Sequence, residues 1–141
     1  MDFTLDDSLG FIVSRTNTKL KNELLHQFKP YDVTPEQWAV LNRLWEQDGM
    51  TPKELSEKTF KDLPNTARIL EKLMRKKLVL RQPDPADKRS SQVFLTERGK
   101  KLKEVLIPIA QGVLNQATLG IGADKIVEVK ALLNRIYQNL E

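Results

Sequence analysis

The chain has 141 residues, 40% of them hydrophobic and 30% charged, which is enough to bury one core and stay soluble. It has no cysteine, so disulfides, thiolate metal sites and sensing by cysteine oxidation are excluded, and the single histidine, His26, cannot build an imidazole metal cluster. The net charge of +4 is unevenly spread: residues 51–103 hold 15 of the 23 Lys/Arg and 7 of the 19 Asp/Glu, a local excess of +8, and the remainder carries −4. A charge run is ordinarily a solvated face, but a whole basic segment between acidic ends suits a polyanionic partner. No apolar run approaches the roughly 20 residues that span a bilayer. The opening MDFTLDDSLG is acidic where a secretory signal would be positive, so no membrane role and a cytoplasmic location are expected.

The first helical pattern carries Leu9, Ile12, Val13, Leu20, Leu24, Leu25 and Phe28. Asp6, Asp7 or Ser8 is placed to cap it and Pro30 to stop it. Thr34-Pro35-Glu36-Gln37 opens a second helix, with Thr34 as cap, Pro35 at the first helical position and Gln37 completing a capping box. Its expected buried stripe is Trp38, Leu41, Leu44 and Trp45, and Asp48-Gly49 ends it. Thr51-Pro52-Lys53-Glu54 repeats the start signal for a short third helix to about Thr59. Asp62-Leu63-Pro64 begins a fourth, which continues through Asn65, Arg68, Lys72 and Arg75. Two capped helices joined by Phe60-Lys61 predict a helix-turn-helix.

Leu78 to Arg81 and Gln92 to Leu95 then read as paired strands around a polar turn at 83–91. The plain reading is an ordinary surface hairpin; the sharper one is a wing, because adjacent cations sit at its tip directly after a helix-turn-helix. Thr96 caps a long fifth helix that contains Pro108, where a backbone hydrogen bond is lost and a kink is expected. Gly120 and Gly122 precede a last helix with Ile126, Val129, Leu133, Ile136 and Leu140 in heptad-like spacing.

With these elements in order, the chain resembles the MarR family (multiple-antibiotic-resistance-type regulators). The resemblance is carried by Thr34 to Trp45, by Leu55 to Arg81, and above all by the run from Asp84 through Asp87, Lys88 and Arg89 to Leu95-Thr96-Glu97-Arg98-Gly99. There an Asp, and an Arg two residues later, precede a strand ending in Leu-Thr-x-x-Gly, as in the family's wing. At two positions the chain departs from the family pattern: Lys77 stands where a Gly usually precedes the wing strand, and Phe60 replaces a small turn residue.

The expected fold is therefore mainly α with a small β wing, in one domain. A winged helix-turn-helix lobe spans 31–99, and long N- and C-terminal helices (5–29 and 97–140) form a dimerisation region. The fourth helix would enter the major groove of double-stranded DNA, with Asn65, Arg68 and Lys72 outward and Pro64 leaving backbone N–H groups free for phosphate. Arg89 would enter the minor groove, with Asp87 orienting its guanidinium and Lys88, Ser90 and Ser91 adding phosphate contacts. The terminal helices carry more apolar surface than a lobe this small can cover, so Leu9, Ile126, Val129, Leu133, Ile136 and Leu140 are expected in a homodimer seam.

The resemblance further implies a regulator, usually a repressor, that recognises a palindromic operator. A small-molecule effector would bind near the junction of the two regions. A winged helix used purely as a protein-interaction module is the alternative. An enzyme is not expected, since the chain shows no phosphate loop, no nucleophile paired with a base, no metal cluster and no cofactor motif.

Overall fold

The computed structural model describes residues 2–87 and 89–141. Five helices begin at side-chain caps that the sequence announces. Helix α1 (Leu9–Phe28) starts with the Ser8 hydroxyl accepting from the Phe11 amide at 3.3 Å, which settles the choice among the three cap candidates. Helices α2 (Pro35–Glu46) and α3 (Pro52–Thr59) both open with reciprocal capping boxes, Thr34 with Gln37 and Thr51 with Glu54. Asp62 caps α4 (Leu63–Arg75) by accepting from the Asn65 amide at 2.7 Å, and Thr96 caps α5 (Glu97–Ala117) through the Gly99 amide. Each such cap satisfies an amide that the helix itself leaves unpaired, and replacing it with Ala costs about 1 kcal/mol. Helix α6 (Ala123–Asn139) starts at Gly122 without a side-chain cap. Helix α5 runs through Pro108 to Ala117.

The two departures from the family pattern lie on equivalent positions. Lys77 and Phe60 have φ of 59° and 57°, each just past the end of a helix. After α4, the Leu78 amide donates to Leu73 O and the Lys77 amide to Met74 O, both at 3.0 Å. After α3, the Lys61 and Phe60 amides donate to Ser56 O and Glu57 O in the same pattern. This is a Schellman turn, whose left-handed residue is ordinarily Gly because a Cβ crowds the backbone there. The first turn also moves the strand boundary. Leu78 is occupied in closing α4, so β1 begins one residue later than expected (Val79–Pro83) and pairs antiparallel with β2 (Ser91–Leu95), from Val79 opposite Leu95 to Pro83 opposite Ser91.

The core lies within the lobe and at its junction with α5. Leu41, Leu44, Leu55, Leu70, Leu73, Val93 and Leu106 are almost completely enclosed, and α1 contributes Phe28. The expected stripe of α2 needs correction: Leu41 and Leu44 are buried, but Trp38 and Trp45 are only half-buried, and Val40 and Gln37 take the inner positions. An indole is too large to be enclosed on this thin layer, and its N–H needs an acceptor. Trp45 reaches Gly99 O at 3.0 Å, while Phe28 packs on Trp38 in a tilted pair and Trp38 on Trp45 edge to face, with centroids 5.1 and 5.6 Å apart. Buried Gln37 is satisfied by the Thr34 amide and by the Lys76 ammonium at 2.8 Å, which ties α2 to the end of α4.

No residue of α6 is buried. Val129, Leu133 and Ile136 are 39–48% exposed and Leu140 84%, while Leu9 near the other end of the chain is 57% exposed. No helix among the described residues is long and apolar enough to cross a membrane.

Candidate nucleic-acid interface

Helix α4 presents two faces of opposite character. Thr66, Ile69, Leu70 and Leu73 are buried, so the 3.6-residue period turns Arg68 and Lys72 outward and leaves Asn65 half-exposed. Pro64 lies exposed in the first turn, beside exposed Leu63. The expected stripe is therefore present. It carries one bond that spacing alone does not reveal: Arg68 donates from Nη2 to Asn65 Oδ1 at 3.2 Å. Residues i and i+3 on a helix meet on the same face. The amide thus holds the guanidinium over the first turn, with the arginine's remaining donors free for phosphate or a base edge. Lys72 makes no ion pair among the described residues, and Arg75 stands 3.9 Å from Glu71.

The wing is organised by two aspartates in roles other than the expected one. Asp84 accepts from the Ala86 amide at 2.9 Å, and its own amide donates to Ser90 O at 3.2 Å, closing the turn. Asp87 accepts at 3.0 Å from the backbone amide of Arg89, not from its guanidinium, and Asp87 O accepts from the Ser90 amide. The short Asp side chain is ideally sized to bond the amide two residues on, and this local bond wins over reaching a long, solvated arginine. The aspartate therefore fixes the path of the chain beneath Arg89. The exposed Arg89 side chain has no carboxylate within ion-pair distance among the described residues. Ser90 and Ser91 are half-exposed beside it. Lys88 lies outside the described residues.

The base of the wing is clamped on both edges. Met50 bridges Val93 from outside the hairpin, and the Asp48 carboxylate accepts from the Leu95 amide at 2.9 Å. Thr96 donates to Lys77 O at 2.7 Å. Gly99 packs so closely on the wing base that a Cβ there would collide with Leu78 O. Sequence reading missed Asp84, Asp48 and Gly99 as positioning residues. Asp84 before Pro85-Ala86 does carry an Asx-turn signature, whereas the other two depend on contacts between distant segments.

One carboxylate of α2 is perturbed. Partial burial works against ionisation of Glu36, but its own backbone amide, the Lys21 ammonium at 3.4 Å and the charge of Lys61 outweigh it. The carboxyl is held below its ordinary range.

The exposed face of the helix-turn-helix thus carries Asn65, Arg68 and Lys72, and the clamped hairpin that follows carries at its tip an arginine without a carboxylate partner among the described residues. Residues 33–91 match the MarR family model. The chain is 30% identical to the HTH-type transcriptional regulator YybA of Bacillus subtilis over 82% of its own length and 77% of that protein's. It superposes with a TM-score of 0.86 on a MarR transcriptional regulator from Methanosarcina mazei, at 30% identity over 93% of this chain and 94% of that one. The chain belongs to the MarR family.

It likewise resembles a mutant MarR of E. coli solved with operator DNA, with a TM-score of 0.86 and 30% identity over 91% and 92% of the two chains. MarR proteins are winged-helix transcriptional regulators and not enzymes, and the mainly α fold with a two-stranded wing is theirs. In this chain Phe60 and Lys77 stand at the left-handed residues of two turns.

Proposed function

We propose that this MarR-family regulator binds double-stranded DNA sequence-specifically as a homodimer and represses genes near a palindromic operator. The observation that carries this reading is the pairing of a cationic stripe on α4, Arg68 and Lys72, with Arg89 at the wing tip, none of the three having a carboxylate partner among the described residues. Separate cations on a helix face and a hairpin tip suit adjacent major and minor grooves. The similarity to a regulator solved with operator DNA points the same way. The apolar positions Leu9, Ile126, Val129, Leu133, Ile136 and Leu140, all exposed except half-buried Ile126, supply the seam of the dimer, in which two α4 helices address two half-sites.

The same reading includes modulation by a small-molecule effector. It is supported by a cleft of about 640 Å3 between the two regions, lined by Tyr31, Asp32, Lys77, Arg98 and Leu102 among others. A ligand there would touch the end of α4 and the start of α5 together. It would shift DNA affinity by as much as it prefers one arrangement of the two over the other.

Selection of bound genomic fragments at physiological salt tests the proposal. Recovered fragments should share a palindrome, and binding should fall steeply with salt. If Arg68→Ala and Arg89→Ala leave regulation intact, or if no fragment is retained, the protein-interaction reading replaces this one.

A further inference from the structure

Phe60 breaks a local rule without a local reason. It occupies the left-handed residue of a Schellman turn, at φ 57°, where Gly or Asn is comfortable and a bulky side chain is strained. The residue is 75% exposed, so burial in the core does not explain it. The turn itself is held by backbone bonds, from the Lys61 amide to Ser56 O at 3.0 Å and from the Phe60 amide to Glu57 O, and these need no ring. Strain of this kind persists where a contact elsewhere offsets it.

That contact is Tyr137. Its ring meets the Phe60 ring edge to face, with centroids 6.0 Å apart and planes at 80°. Tyr137 stands near the end of α6, four residues after Leu133 and three before Leu140, beside the apolar stripe but not part of it. A helix that buries nothing of its own in this chain therefore touches the turn between the two helices of the DNA-binding motif. The other side of that turn is bounded as well. Lys61 shares a cleft with Lys21 of α1 and Glu36 of α2, which form an ion pair at 3.4 Å. Asp62, two residues past Phe60, caps α4, so any displacement of the turn carries Asn65 and Arg68 with it.

We propose that Phe60 and Tyr137 form a positioning contact through which α6 sets the helix-turn-helix turn, so that the spacing of the two recognition helices in the dimer is fixed by α6. The proposal rests on the DNA-binding dimer described above.

The test uses the full chain with Tyr137→Ala, Tyr137→Phe, Phe60→Asn and the double variant Phe60→Asn/Tyr137→Ala. Asn keeps the left-handed turn comfortable while removing the ring. The first readout needs no DNA: hydrogen exchange at the Lys61 amide should be about three- to tenfold faster in Tyr137→Ala and unchanged in Tyr137→Phe. In the Phe60→Asn background, Tyr137→Ala should add nothing. The second readout compares an operator with the selected half-site spacing against one lengthened by a base pair. Wild type and Tyr137→Phe should discriminate sharply. Tyr137→Ala and Phe60→Asn should bind the native spacing about three- to tenfold more weakly and discriminate less, at unchanged dimer mass in sedimentation.

The proposal is overturned if Tyr137→Ala moves neither readout, or if it acts equally with and without the Phe60 ring. Should Tyr137→Ala not fold, Phe60→Asn decides by its spacing preference alone. If wild type binds no duplex, the DNA-binding reading has failed, and amide exchange still judges the contact.

Discussion

Between Val33 and Leu95 each of the three helices encloses at least one leucine completely, and the hairpin adds Val93, whereas α6 buries no residue and α1 buries only Phe28. Both regions show the same apolar spacing of three and four in sequence. The difference lies in what the topology places opposite each stripe. The stripes of α2, α3 and α4 face one another and the wing base, while the stripe of α6 faces solvent. An amphipathic pattern shows that a face is made for burial and leaves open whether the same chain supplies the cover. The lobe is a unit stabilised from within, and α6 presents a surface that the second copy of the proposed dimer would complete.

Substitutions on the two sides of this contrast should behave differently. The largest effect is expected in the lobe: Leu70→Ala should cost about 2–5 kcal/mol of stability, since the site is fully enclosed. Denaturant unfolding measures this, and a cost below 1 kcal/mol would show that the lobe lacks a tight core. On α6, Leu133→Asp should leave the helical circular dichroism nearly unchanged while weakening self-association by about 100-fold or more, as expected for a charge placed in an apolar seam. Sedimentation equilibrium reads this, and an unchanged association constant would remove Leu133 from the seam. Lys77→Gly relieves a strained left-handed residue and should raise unfolding stability by about 1 kcal/mol. The opposite sign would mean that the lysine side chain makes a compensating contact.

The smallest effect concerns pH. The folded protein holds the Glu36 carboxyl below its ordinary range, so its contribution is present above that range and is lost as pH falls through the lowered folded value. Glu36→Gln should therefore be slightly less stable than wild type at neutral pH and indistinguishable from it in acid. Parallel stability curves down to low pH would show that the half-exposed Lys21 pair contributes nothing.

Much of the lobe was legible because its signals are local. The reciprocal boxes at Thr34/Gln37 and Thr51/Glu54 and the caps at Asp62 and Thr96 located four helix starts to the residue. The stripe of Asn65, Arg68 and Lys72 followed from the buried positions between them. The rest depended on competition between partners. Asp87 was expected to bond the Arg89 guanidinium, but the nearer backbone amide takes it. Trp38 and Trp45 were expected inside, but their size and the indole N–H keep them at the margin. Phe60 and Lys77 were visible as departures from a family pattern. Only φ shows that both occupy the same kind of turn, and only the fold brings Tyr137 to Phe60.

In the proposed dimer, two lobes joined by the terminal helices hold one operator through cations on α4 and at the wing tip. This is tested most directly by the salt dependence of operator binding for wild type and Arg89→Ala, with the mass of the complex measured alongside. Two chains should bind per duplex. The slope of log affinity against log salt should become shallower by about 0.9 for each wing arginine removed, or about 1.8 per dimer. One chain per duplex, or an unchanged slope, would contradict it.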